Sequence, residues 1–261
     1  MSRNFNKVTL PVTTGEGHSD SVSRRTSQRQ PKLAWLYWTL WIIASFALAN
    51  LVVVPFIWAL PDEVTHRLST PFGTAIVTTI VNALVLFFTI GPPYLIKKIK
   101  TTRKEIGLTG WPTWADIFLG VAGMIPYILL SAGLLWGFQR LLPGANWEQD
   151  QYIGGFSFLR SGADFFIAFL ALVVVVPILE EAIFRGVLYS KLKSGLPTVA
   201  AVIISSLLFA IAHGQLNVAV ATFALALVAC GLREITGTIY APILLHAVKN
   251  GLAFYLLFFT F

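Results

Sequence analysis

Six side chains in the second half of the chain have types and spacing that could do chemistry. Glu180, Glu181 and Arg185 stand together in an otherwise apolar stretch, His213 ends the next apolar run, and His246 and Asn250 lie within the last one. Hydrolysis of an amide needs a base to take a proton from water, and a carboxylate withdrawn from bulk solvent is the better base. A neutral imidazole can orient the same water, while a second imidazole and a carboxamide N–H can donate to a tetrahedral oxyanion. Two histidines and a glutamate can also bind zinc with a water at an open position. The donors come from different segments, so their spacing leaves both chemistries open: a divalent metal such as zinc, or no cofactor.

Helical spacing adds direction. Glu181 and Arg185 are four apart and can pair on one face, with the acid on the N-terminal side, which is the favourable order. Glu180 points ~100° away around the helix, toward a different neighbour. Phe209 and His213 are also four apart, as are His246 and Asn250, so three helices each bring a polar group toward a common point. The plainer readings are an ion pair that locks helix packing for Glu181 and Arg185, and core packing for Phe209. His18 and His66 lie in polar segments and receive no role. Cys230, the single cysteine, reads as core filler and allows no internal disulfide.

The elements that must position these residues are membrane spans. Of 261 residues, 56% are hydrophobic and 12% charged, against roughly 25% charged in soluble domains. The apolar residues fall in runs of about 20, enough to cross ~30 Å of hydrocarbon. Spans are expected near 33–60, 72–96, 114–138, 164–190, 196–213, 218–232 and 239–259. Trp35, Tyr37, Trp38 and Trp41 stand at one end of the first span and Trp58 at the other, where aromatics suit the headgroup level. The sequence predicts an all-α, polytopic transmembrane helical bundle of about seven, or eight, helices. Residues 1–31 are polar and predict a disordered tail.

The net charge of +7 lies beside the spans. Arg3, Lys7, Arg24, Arg25, Arg29 and Lys32 precede the first, and Lys97, Lys98, Lys100, Arg103 and Lys104 follow the second. That placement argues for topology and anionic lipid headgroups rather than nucleic acid, and for a cytoplasmic N-terminus. No cleavable signal peptide is expected, because about 30 polar residues come before the first apolar run.

At this point the sequence resembles a known family. Pro177-Ile-Leu-Glu180-Glu181-Ala-Ile-Phe184-Arg185-Gly186 looks like the EExxxR motif of the type II CAAX prenyl endopeptidases, also called CPBP for CAAX proteases and bacteriocin-processing enzymes (abortive-infection protein-like). Phe209-Ala-Ile-Ala-His213 resembles its FxxxH motif and His246-Ala-Val-Lys-Asn250 its HxxxN motif. The resemblance implies an intramembrane protease in which Glu180 and His213 activate the hydrolytic water. It implies that His246 and Asn250 stabilise the oxyanion, with Glu181 and Arg185 in support. It covers roughly 164–251, the expected catalytic core of a 32–261 transmembrane domain.

The expected function is therefore an intramembrane endopeptidase, glutamate-dependent or a metallo-endopeptidase, acting on a peptide or protein substrate in the membrane. CAAX-type cleavage and bacteriocin processing are both open. Its setting is the lipid bilayer of a bacterial plasma membrane. The alternative is a non-enzymatic membrane scaffold or bacteriocin-immunity protein on the same fold. A transporter is disfavoured by the lack of an inverted repeat.

Overall fold

A computed structural model describes residues 33–147 and 162–259, without the side chains of 71 and 257–259. The expected tail at 1–31 lies outside the described residues, as does most of the loop that precedes the fourth span. The described residues are helical, with no strand among them: α1 Ala34–Trp58, α2 Asp62–Leu68, α3 Pro71–Lys97, α4 Arg103–Ile106, α5 Trp114–Ala122 and α6 Met124–Leu141. A continuous helix over Gly162–Lys193 follows, in which α7 Gly162–Phe169, α8 Val176–Glu181 and α9 Tyr189–Lys193 are joined by π-helical turns at Leu170–Val175 and Ala182–Leu188. Then come α10 Thr198–Ile211, α11 Leu216–Thr236 and α12 Tyr240–Phe259.

Each expected span is thus a helix. Five helical stretches are long and apolar enough to cross a bilayer: Ala34–Trp58, Phe72–Lys97, Trp114–Leu141, Gly162–Lys193 and Leu216–Thr236. The protein is an integral membrane protein. Two of the seven expected spans are not among these five: the fifth, α10, and the seventh, α12. With 14 residues α10 is ~21 Å long, short of a ~30 Å hydrocarbon core.

Burial follows the lipid setting. On α1 the stripe Trp38, Ile42, Ser45, Ala49 and Val53, at three- and four-residue steps, faces the bundle. Leu40, Ile43, Leu51 and Phe56 on the other face are exposed. Such a face would aggregate in water but is solvated by acyl chains. The core joins Ile42 and Ala49 of α1 with Val85 of α3, Phe209 of α10, Cys230 of α11 and Leu245 of α12. They belong to one buried cluster with Ile183, Phe184 and Leu188 of the second π-turn. The Gly162–Lys193 helix, which carries the acidic pair, is therefore held from several sides.

One device keeps backbone polar groups of α3 satisfied where lipid offers no hydrogen bonds. Pro92 and Pro93 lie inside α3, and without amide hydrogens they leave the carbonyls four residues back unpaired. Those are Phe88 and Thr89, and the Trp41 indole N–H donates to both, at 3.1 and 3.3 Å. Trp41 is therefore engaged with α3. Its neighbour Trp38 is buried too, with the Lys191 ammonium 4.7 Å from its ring centre.

At the C-terminal end of the Gly162–Lys193 helix, the short α4 works as a clasp. Its Thr102–Glu105 capping box fixes the turn. Ser190 Oγ donates to the Glu105 carbonyl at 2.8 Å, Arg233 Nη2 donates to the same oxygen at 3.2 Å, and Lys191 pairs with the Glu105 carboxylate. Ile106 then lies against Gly186. A Cβ there would come within 2.6 Å of Ile106 Cγ2, so only glycine lets the clasp close on the residue after Arg185.

Candidate active site

The Gly162–Lys193 helix sends its two glutamates to different surroundings, as their ~100° separation requires. Glu181 and Arg185 are both 0% exposed, and their Oε1 and Nη1 are 2.7 Å apart. The guanidinium also lies 4.3 Å from the centre of the Phe209 ring, a cation–π contact that adds to the ion pair in this desolvated setting. Glu180 turns toward α3 and α12 and keeps 14% side-chain exposure. The first acid of the doublet opens onto the site, and the second is sealed behind it.

His246, from α12, spans the two carboxylates. Its Nδ1 lies 2.9 Å from Glu181 Oε1 and its Nε2 3.7 Å from Glu180 Oε2. A carboxylate only accepts, so Nδ1 carries the proton and the ring is oriented with Nε2 toward Glu180. The second separation exceeds hydrogen-bond range, so Glu180 and His246 face one another without being bonded.

Phe209 is the hub of the cluster. Its fully buried ring meets Phe184 at 4.9 Å, His213 at 4.8 Å and His246 at 5.7 Å, besides Arg185. His213, just past the end of α10, bonds through Nδ1 to the Phe209 carbonyl at 2.8 Å. A carbonyl cannot donate, so Nδ1 bears the proton and Nε2 is left as the acceptor. His213 is within Coulombic range of Glu180 and His246. Among the described residues it makes no hydrogen bond or ion pair with either.

Asn250 is one turn beyond His246, and its Nδ2 donates to the Leu172 carbonyl at 3.0 Å. The local backbone gives the reason. In the first π-turn the Val176 amide donates five residues back, to Ala171. The next amide in that register belongs to Pro177, which has no hydrogen, so Leu172 is left over. The Asn250 carboxamide supplies the missing donor inside the membrane, with one N–H remaining.

Two side chains at the site escaped the sequence reading. Asn82, buried on α3, directs Nδ2 toward Glu180 Oε1 at 3.4 Å and donates to the Thr78 carbonyl at 3.1 Å. Lys249, between His246 and Asn250, is half-buried and within Coulombic range of Glu180 and His213. Both were signalled by energy. A charged side chain at mid-span costs ~2.5–3.5 kcal/mol on insertion scales, and an intramembrane asparagine usually bonds across helices.

Among the described residues no group of three His, Cys, Asp or Glu side chains is placed to hold an ion. Both Nδ1 atoms are committed, one to Glu181 and one to Phe209, which leaves Nε2 as the free nitrogen of each ring.

Residues 162–252 match the family model described as type II CAAX prenyl endopeptidase Rce1-like. This stretch of the chain is Rce1-like. The match begins at α7 and runs into α12, so the Rce1-like region contains Glu180, Glu181, Arg185, His213, His246 and Asn250. Asn82, Trp41 and the α4 clasp fall outside it. The family is one of membrane peptidases. No curated protein and no solved structure matches the chain.

Proposed function

We propose that the Rce1-like region hydrolyses a peptide bond within the membrane. Glu180 takes a proton from water, and the resulting hydroxide adds to the scissile carbonyl carbon. His213 orients that water through Nε2. The remaining N–H of Asn250 donates to the oxyanion, and Glu181 with Arg185 holds the His246 ring so that its Nε2 faces Glu180. Collapse of the tetrahedral intermediate breaks the C–N bond, and the proton on Glu180 passes to the leaving amine.

The single observation behind this reading is the pairing of an acid that opens onto the site, Glu180, with an imidazole 3.7 Å away whose other nitrogen is locked by a buried carboxylate. Such a constellation opposes insertion into lipid, and a purely structural role leaves Glu180 without a reason to be ionisable. The substrate is a membrane-held peptide or protein; a CAAX-type C-terminus and a bacteriocin precursor are its two chemical candidates. The N-terminus and the basic stretch Lys97–Lys104 lie on the cytoplasmic side, a topology that labelling of a cysteine placed at Lys100 in sealed vesicles would check.

The test uses the full chain in proteoliposomes, with candidate peptides chosen by comparing the membrane peptides of cells that carry wild-type or Glu180→Ala protein. Cleavage by wild type and none by Glu180→Ala is expected. Equal cleavage by both removes Glu180 from the mechanism. Full cellular function of Glu180→Ala would favour the scaffold reading instead.

A further inference from the structure

The polar and titratable groups around Glu180 come from its own helix, from α3, from α12 and from the turn after α10, which carries His213. On its own helix are Glu181 and Arg185, which neutralise one another at 2.7 Å. From α3 comes uncharged Asn82. From α12 come His246 and Lys249. Setting the closed Glu181–Arg185 pair and the two imidazoles aside leaves one acid, Glu180, and one ammonium-bearing side chain, Lys249.

Among the described residues the Lys249 ammonium makes no hydrogen bond, and no acid lies within 4 Å of it to form an ion pair. Its interaction with Glu180 is therefore through space, across a gap wider than a salt bridge. It sits halfway along α12, three residues after His246 and one before Asn250. Asn250, the donor that would otherwise carry most of the oxyanion, already spends one N–H on Leu172. A mid-membrane ammonium held short of its counter-ion is costly, and it is well placed to stabilise negative charge that forms between the two.

Building on the protease reading above, we propose that Lys249 is the electrostatic partner of the reaction's moving charge. In the resting site it balances the Glu180 carboxylate. When the water proton passes to Glu180 and the hydroxide adds to the carbonyl carbon, the C=O π pair moves to oxygen, and the negative charge leaves Glu180 for the oxyanion. Lys249 stays fixed and faces that oxyanion, so the site remains neutral throughout. When the C=O reforms and the C–N bond breaks, the proton on Glu180 goes to the amine and the charge returns to the carboxylate. A preorganised cation of this kind acts on the transition state more than on the bound substrate.

The experiment compares wild type, Lys249→Met and Lys249→Arg in proteoliposomes. It uses the peptide cleaved in the assay above and a phosphinic analogue of it, in which a P(O)O⁻–CH₂ unit replaces the scissile amide. Lys249→Met is expected to lower kcat about 100-fold and raise the phosphinate inhibition constant by a similar factor, with KM within about twofold. Lys249→Arg should keep both within about tenfold of wild type. Retention of kcat and phosphinate affinity by Lys249→Met overturns the proposal. So does a parallel loss of substrate and phosphinate binding in both variants, which is what a folding role would give. If wild type itself cleaves nothing and binds no phosphinate, the protease reading fails rather than this one.

Discussion

His246 Nδ1 lies 2.9 Å from Glu181 Oε1, and this bond decides which face of the imidazole meets the other glutamate. Glu181 in turn is fixed by Arg185, and Arg185 by the Phe209 ring. An acid that never reaches the open side of the site thus sets the geometry of one that does. Supporting partners of this type commonly matter nearly as much as the groups they orient.

Breaking that support should cost stability first. Glu181→Gln leaves the Arg185 charge buried without its partner, a change expected to destabilise by about 3–5 kcal/mol. Removing the charge as well, in Glu181→Gln with Arg185→Met, should recover part of the loss. Unfolding curves in mixed detergent micelles measure both. A single variant as stable as wild type would mean that the pair is not sealed from water.

The proline-matching donors make a second test. Trp41→Phe removes the N–H shared by the Phe88 and Thr89 carbonyls, and leaving such groups unpaired costs about 1–3 kcal/mol. In a background of Pro92→Ala and Pro93→Ala, whose amides can take those carbonyls, the same substitution should cost clearly less. Equal costs in the two backgrounds would sever Trp41 from the prolines. A double-mutant cycle reads the coupling directly.

Asn250 should show two separable roles. Asn250→Leu is expected to lower stability by about 1–3 kcal/mol through the orphaned Leu172 carbonyl. Pro177→Ala restores an amide in register and should return much of that stability. Activity should not come back with it, because the N–H left for the oxyanion is still missing. Recovery of activity together with stability would reduce Asn250 to a helix cap.

Much of this was legible in the sequence, for physical reasons. Hydrophobic runs of span length gave the helices, because the bilayer leaves the backbone few other choices. Charge inside those runs pointed to Glu180, Glu181, Arg185, His213, His246 and Asn250. The same criterion applied to every polar residue would have reached Asn82 and Lys249, which are equally expensive where they sit. The π-turns were not legible, since they depend on which carbonyl Pro177 strands and which neighbour can answer it. The bond from Trp41 to α3 was hidden for a similar reason: its partner carbonyls lie on another helix, 47 and 48 residues on. The gap between His213 and Glu180 is a property of helix placement that spacing within one helix does not encode.

The α4 clasp yields a steric prediction. Gly186→Ala places a methyl 2.6 Å from Ile106 Cγ2, and overpacking of this kind costs typically ~1–3 kcal/mol. Ile106→Ala in the same chain should relieve it. If Gly186→Ala is silent in unfolding and in cleavage, the clasp does not bear on the helix that carries the glutamates.

The central claim is that Glu180 activates the water that cuts the peptide. Its most direct measurement is cleavage by the reconstituted full chain in H₂¹⁸O, with mass spectrometry of the new C-termini for wild type and Glu180→Gln. The account predicts one ¹⁸O atom in each new carboxylate formed by wild type, and a rate at least about 100-fold lower for Glu180→Gln, the scale of a lost general base. Labelled product formed at the wild-type rate by Glu180→Gln would contradict it.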